Sequence, residues 1–198
     1  MPLHAVVFNP ASGGRPRDPL ARRVAAVFEA QGHEVALLPT LRPHHATELV
    51  EDLLRQRPGE AIDLVALGGD GTLNEVVTGA FRAGECAGPA SRVRVAAVPA
   101  GTTNVVARSL GLPRDPVAAA RAIAAGGERL IDLGTCRVHA QKRPFLLACG
   151  AGFDAEVLLR VSPLAKRLIG QRAYQLAAFL AAGHRERGLV VEIEGADG

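Results

Sequence analysis

The chain has no tryptophan and one tyrosine, Tyr174, so it lacks the aromatic platforms on which single-stranded nucleic acids stack. Its basic residues are nearly all arginine and lie scattered, with Lys142 and Lys166 the lysines. A net charge of +3 and a pI of about 9.1 therefore follow from composition and point to no nucleic acid partner. Cys86, Cys136 and Cys149 are odd in number and show no C-x-x-C spacing, which excludes a disulfide framework and a zinc site and fits the reducing cytosol. No uninterrupted apolar stretch reaches the roughly 18 residues of a membrane span, so contact with a bilayer is expected to be peripheral. No basic leader and apolar segment follow Met1-Pro2, and no secretory signal is expected. The G-x-x-x-x-G-K-[ST] pattern is missing, which excludes the P-loop and its lysine. His44-His45 have no third ligand at metal spacing and read as solvated surface.

What is present suffices for a core. With 198 residues and 48% hydrophobic content, the chain can make one large α/β domain, or one domain of ordinary size and part of a second. Strand-like and helix-like segments alternate: a strand at His4–Phe8, a helix after the N-cap pair Asp18-Pro19 with Leu20, Val24, Val27 and Phe28 at helical spacing, and a strand at Glu34–Leu38. A helix over Thr47–Arg55 with Leu49 and Leu53 on one face, a strand at Asp63–Leu67, a helix at Thr72–Arg82 and a strand at Val93–Val98 follow. Helices are expected at Thr103–Leu110 and at Pro116–Ala125, the second capped by Asp115. The order predicts a doubly wound, mostly parallel sheet over residues 1–128. From residue 129 the pattern changes: strands at Arg129–Val138 and Pro144–Cys149 joined by His139–Arg143 read as a hairpin, followed by a helix at Pro163–Ala182 and a strand at Leu189–Ile193. Residues 129–198 are therefore expected to be a partial, β-rich second domain with a helical insertion.

The most telling stretch is Leu64-Val-Ala-Leu-Gly-Gly-Asp-Gly-Thr-Leu-Asn-Glu-Val-Val77. An apolar strand meets three glycines, a carboxylate and a hydroxyl, then continues as an amphipathic helix. Free N–H groups and the positive end of the helix dipole face such a turn, and glycine lets an anion approach the main chain. Asp70 would repel a phosphate there unless it held a divalent cation. In an open parallel sheet ligands bind beyond the carboxyl ends of the strands, and two more loops fall at that edge: Asn9-Pro-Ala-Ser-Gly-Gly14 and Pro99-Ala-Gly-Thr-Thr-Asn104. Each taken alone is also an ordinary turn or helix start; together they predict a site for a phosphorylated ligand. Gly150-Ala-Gly-Phe-Asp-Ala155 matches a loose dinucleotide fingerprint, but the long helix expected after it replaces the second parallel strand that a mononucleotide fold needs. Its glycines read instead as packing or turn positions. Leu164, Leu168, Tyr174, Leu176 and Phe179 read as the core face of that helix.

Asn-Pro-x-Ser-Gly at 9–13, Gly-Gly-Asp-Gly-Thr-Leu-Asn-Glu at 68–75, Pro-x-Gly-Thr-Thr-Asn at 99–104, Ile-Asp-Leu-Gly at 131–134 and Gly-x-Gly-Phe-Asp-Ala at 150–155 together resemble the diacylglycerol kinase catalytic family, especially its soluble bacterial lipid kinases. The resemblance implies an NAD kinase/diacylglycerol kinase-like α/β domain followed by the beginning of a β-sandwich. It further implies an ATP-dependent enzyme that phosphorylates a lipid hydroxyl, of diacylglycerol or a related lipid, at a membrane surface. By the same resemblance Asn9, Pro10, Ala11, Ser12, Gly13, Thr40, Gly69, Asp70, Gly71, Thr72, Leu73, Asn74, Glu75 and Thr102 line ATP. Asp70 organises Mg²⁺ through water, and Asp132 joins that metal-water network. A cytoplasmic location with peripheral contact at the inner face of the membrane follows.

The family pattern continues beyond residue 198 with further metal ligands and the general base. The chain is thus expected to be a truncated kinase that binds nucleotide and transfers phosphate poorly. NAD kinases share the Gly-Gly-Asp-Gly-Thr turn but carry an Asn-Asn-Glu element in place of Pro-x-Gly-Thr-Thr-Asn; a non-catalytic nucleotide-binding module is the other alternative. The acceptor lipid and the oligomeric state are not written in these motifs.

Overall fold

The computed structural model describes residues 2–11, 16–84, 91–138, 141–150 and 152–161. Four strands, β1 (Leu3–Phe8), β2 (Glu34–Pro39), β3 (Ile62–Gly68) and β4 (Val93–Pro99), pair in parallel in the order β2-β1-β3-β4. Helices α1 (Asp18–Glu29), α2 (His45–Gln56) and α3 (Asp70–Arg82) make the crossovers, and α4 (Val105–Ser109) and α5 (Pro116–Ala124) follow β4. This is the doubly wound α/β fold that the alternation predicts.

Strand side chains alternate between two cores. Leu3, Ala5 and Val7 of β1 and Ile62, Leu64 and Ala66 of β3 pack with α2, α3 and α4. Val6, Phe8, Val65, Leu67 and Val98 pack with Ala21, Val24 and Phe28 of α1 and Ala120 of α5. Because helices cover both faces, β1 and β3 are buried along almost their whole length and read as continuous apolar runs.

Helix starts deviate from the sequence reading. The N-cap of α1 is Arg17, without a side-chain cap, and Asp18 lies inside the first turn, where it still complements the helix dipole. A missing cap costs about 1 kcal/mol, whereas each fully buried Val, Leu or Phe contributes about 1.5–3 kcal/mol; the buried face of Val24 and Phe28 therefore decides where α1 lies. Asp115 does cap α5, its Oδ1 accepting from the Ala118 N–H at 2.8 Å. In α2 the buried stripe is Ala46, Thr47, Val50 and Leu54, one step around from the expected Leu49 and Leu53. Gly79 on α3 explains this: a Cβ there would lie 2.7 Å from the Thr47 carbonyl oxygen and from Val50 Cβ, so α2 presses this side against α3.

The hairpin consists of β5 (Gly134–Val138) and β6 (Gln141–Phe145), antiparallel with Gly134 opposite Phe145 and Val138 opposite Gln141. It is tighter than expected. Residues 141–143, assigned to the connection because they are polar, belong to β6, where they are exposed, and residues 129–133 precede the strand. Phe145 fills the space beside Gly134, and the Lys142 ammonium stands 5.8 Å from the Phe81 ring centroid of α3. A short helix, α6 (Phe153–Arg160), begins directly after Gly152, inside the Gly-x-Gly-Phe-Asp-Ala motif.

The chain divides into two compact units, Met1–Leu147 and Ala148–Gly198, and the hairpin belongs to the first. The expected helix at 163–182 and strand at 189–193 lie outside the described residues. Among those described, no helix is long and apolar enough to cross a membrane.

Candidate functional site

Since β3 stands between β1 and β4, the segments that follow these three strands share one edge of the sheet. The pairing of β3 with β4 continues past the strands, the Ala100 N–H donating to the Gly68 carbonyl at 2.8 Å. Just beyond, the two loops touch through glycines: a Cβ on Gly101 would lie 2.5 Å from Gly69 Cα. Such an approach of two backbones leaves no room for a side chain.

Asp70 is the first residue of α3, with Gly69 as N-cap. Its carboxylate reaches across to the next turn, where Oδ2 accepts from the Val105 N–H at 3.0 Å and Oδ1 from the Val106 N–H at 3.1 Å. It thus satisfies amides at the start of α4 that the helix itself cannot. Asn104, the N-cap residue of α4, has a φ of 48°, a left-handed conformation that asparagine tolerates. Its side-chain oxygen accepts from the Gly101 N–H and its amide donates to the Gly101 carbonyl, both at 2.9 Å.

In the first loop the Asn9 side chain accepts from the Ala11 N–H at 2.9 Å, and the Arg17 N–H donates to the Pro10 carbonyl at 3.2 Å. Ser12 and Gly13 lie outside the described residues. Thr40 is buried just after β2, its N–H donating to the Phe8 carbonyl at 2.8 Å at the end of β1. Gly71 and Thr102 are exposed, Thr72 and Asn74 half-buried, and Leu73 buried in the core beneath the turn. Glu75 faces α2: its Oε2 accepts from the Ala46 N–H at 3.3 Å and its carbonyl from the Thr47 hydroxyl at 2.9 Å. Asp132 is exposed in the segment before β5.

The cavity between Ala66, Gly69, Asp70, Leu73, Ala97 and Asn104 measures about 10 Å³, about one water molecule. The turns are packed against each other. Among the described residues no three His, Cys, Asp or Glu side chains gather into a metal-binding group. Mg²⁺ needs no such cage: it keeps several waters and takes one or two carboxylates together with phosphate oxygens. Asp70 fits that demand, because a carboxylate has about four acceptor positions and two are filled here by amides.

Two residues of this edge carry no clear signal in the sequence. Arg17 is one arginine among many, yet its Nη2 donates to the Ala100 carbonyl at 2.5 Å. Asn104 closes a visible motif, but its contact with Gly101 follows only from the turn geometry.

The sequence profile of the diacylglycerol kinase catalytic domain matches residues 4–136. The chain is 34% identical over 175 residues to a protein of Bacillus subtilis (strain 168) named diacylglycerol kinase, a match that covers 86% of this chain and 52% of that protein. A Pseudomonas aeruginosa protein named "Probable lipid kinase YegS-like" is 39% identical over 153 residues, covering 77% of this chain and 46% of the relative. The chain spans about half the length of the curated relatives that it matches. Among solved structures, a diacylglycerol kinase from Bacillus anthracis str. Sterne superposes with a TM-score of 0.50 at 23% identity, covering 63% of this chain and 43% of the other, a likeness of fold. On the profile match and the Bacillus subtilis relative, the chain belongs to the diacylglycerol kinase catalytic domain family.

Proposed function

We propose that the protein takes part in ATP-dependent phosphorylation of a lipid hydroxyl, that of diacylglycerol or a related lipid alcohol. The hydroxyl oxygen attacks the γ-phosphorus, the bond to the β–γ bridging oxygen breaks and ADP leaves. The hydroxyl proton passes to a base outside the three turns. In this reading Asn9 to Gly13, Thr40, Gly69 to Thr72, Asn74 and Thr102 hold the nucleotide, while Leu73, buried beneath the turn, and Glu75, bonded to α2, support the turn from behind. Asp70 would hold Mg²⁺ through water, and Asp132 would join that water network. Bound Mg²⁺ would neutralise charge on the phosphates. The chain's part is positioning and electrostatics, which is most of what phosphoryl transfer asks of a protein.

The observation that carries the reading is the meeting of the turns after β3 and β4, Gly69 against Gly101 with Asp70 bridging to α4, in a chain of this family. The lipid is met at a membrane surface, by peripheral contact on the cytoplasmic side.

The test is transfer of label from γ-labelled ATP with Mg²⁺ to vesicle-borne diacylglycerol, to other lipid alcohols and to NAD. Label in a lipid is expected. Label in NAD alone overturns the lipid assignment, and nucleotide binding without transfer to any acceptor reduces the chain to a binding module. Asp70→Asn is a cleaner variant than Asp70→Ala, since its amide oxygen still accepts one α4 N–H. It is expected to lower Mg²⁺-dependent transfer about 100-fold, the scale of one lost electrostatic group in a transition state, and to lower the thermal midpoint as well, because its NH2 group faces the other α4 N–H and leaves it unpaired. Unchanged turnover would remove Asp70 from the metal role.

A further inference from the structure

Arg17 lies far from the Gly-Gly-Asp-Gly-Thr turn in sequence, but it joins the outer two of the three loops. Its backbone N–H closes the first loop on the Pro10 carbonyl at 3.2 Å. Its guanidinium passes to the third loop, Nη2 donating to the Ala100 carbonyl at 2.5 Å. Since β1 and β4 are not neighbours and β3 stands between them, this bond straps across the end of β3.

The peptide it holds is fixed from both sides. The Ala100 carbonyl and the Gly101 N–H belong to one peptide plane; Arg17 binds the first, and the Asn104 side chain accepts from the second at 2.9 Å. The preceding N–H, that of Ala100, is held by the Gly68 carbonyl at 2.8 Å, and Gly101 rests on Gly69. The next residue is the exposed Thr102. A rotation of the 100–101 peptide would displace Thr102, which follows it, and among the described residues Arg17 and Asn104 resist that rotation through their side chains.

We infer that Arg17 is a positioning residue for the phosphoryl-donor site: by holding the Ala100 carbonyl it fixes the Ala100–Gly101 peptide, and with it Thr102, against the turn at Gly68–Thr72. The inference rests on the reading of this edge as the ATP site. Arginine suits the task because a planar guanidinium loses little freedom per hydrogen bond formed, and a charged donor on a carbonyl makes a stronger bond than a neutral one. Lysine retains one charged donor; methionine keeps the stem and removes every donor.

The test uses the full chain with Arg17→Met and Arg17→Lys and reads two quantities. The first, independent of any ligand, is amide hydrogen exchange over residues 100–106 in the free protein. It should speed up about tenfold or more in Arg17→Met and return most of the way in Arg17→Lys, while exchange within α1 stays as in the wild type. The second is the dissociation constant for ATP with Mg²⁺, expected to rise about tenfold in Arg17→Met, the scale of one hydrogen bond to a charged group, and to recover in Arg17→Lys at an unchanged thermal midpoint. Unchanged exchange at 100–106 in Arg17→Met overturns the inference, and if ATP affinity nevertheless falls, Arg17 meets the phosphates directly. Faster exchange throughout α1 with a lowered midpoint likewise overturns it in favour of a general stabilising role. If the wild-type chain binds no ATP, the nucleotide reading fails, and the exchange data still decide whether Arg17 holds the loop.

Discussion

Gly101 and Gly71 are both glycines of the candidate site, and they are glycines for different reasons. A Cβ on Gly101 would meet Gly69 Cα at 2.5 Å and Asn104 Oδ1 at 2.9 Å, whereas a Cβ on Gly71 meets nothing within 4 Å. Gly101→Ala must therefore push the two loops apart, an overpacking that costs about 1–3 kcal/mol, and ATP affinity should fall with stability. Gly71→Ala, in the first turn of α3, should leave stability equal or raise it by up to about 1 kcal/mol. If it still weakens ATP binding, the space over Gly71 belongs to the ligand. Denaturant midpoints and ATP titrations on the two variants check both statements; a Gly101→Ala protein as stable as the wild type would contradict the tight approach. The motifs display these glycines, but the sequence cannot say which serve packing, because Gly69 and Gly101 come together only through the pairing of β3 with β4. The second role of Asp70 is hidden in the same way: the Val105 and Val106 amides that its carboxylate accepts become neighbours only in the fold.

At the scale of elements, what is legible is what one face of one segment encodes. β1 and β3 are visible as apolar runs because both their faces are covered, and α5 because Asp115-Pro116 is a local start signal that the Ala118 N–H obeys. The seam between α2 and α3 is not local. Its register is set where Gly79 admits Thr47 and Val50, and so the buried stripe of α2 lies beside the one marked by Leu49 and Leu53. The hairpin is misread for the opposite reason: Gln141, Lys142 and Arg143 are polar because they are exposed, and polarity alone does not separate an exposed strand from a turn. The seam yields a signed prediction. In an ordinary helix interior Gly→Ala gains about 0.5–1 kcal/mol, but at position 79 the new methyl would stand 2.7 Å from a backbone oxygen and from Val50 Cβ. The overpacking term of about 1–3 kcal/mol is the larger, so Gly79→Ala should destabilise by urea titration. A stabilised variant would mean that the two helices separate at little cost.

Taken whole, the sheet keeps the glycine-rich loops of the candidate site at one end of its strands and, at the other, a polar row in which His4 and Asp63 are buried. His4, Asp63 and Arg94 are register partners across β1, β3 and β4. His4 Nε2 lies 3.2 Å from Asp63 Oδ2, which accepts from Arg94 Nη2 at 2.8 Å, and Arg94 also pairs with Glu128. The His4 ring packs on Phe28 of α1 and on His33, with centroids 4.4 and 4.5 Å away. Burial pushes the His4 imidazole below its ordinary pKa; Asp63 pulls it upward, and His33 and Arg94 add to the lowering. Burial is the larger influence, so the folded chain takes up this proton less readily than the unfolded one. A histidine with a lowered pKa contributes full stability above its unfolded value of about 6.5, and the contribution falls as the pH drops through 6.5 toward the folded value. The slope for one proton is at most about 1.4 kcal/mol per pH unit. Urea midpoints at pH 5.5 and 7.5 should therefore differ more in the wild type than in His4→Gln, which cannot take up the proton, with Asp63 still held by Arg94 in both. An equal pH dependence in the two would take it away from His4 and leave that residue as packing alone.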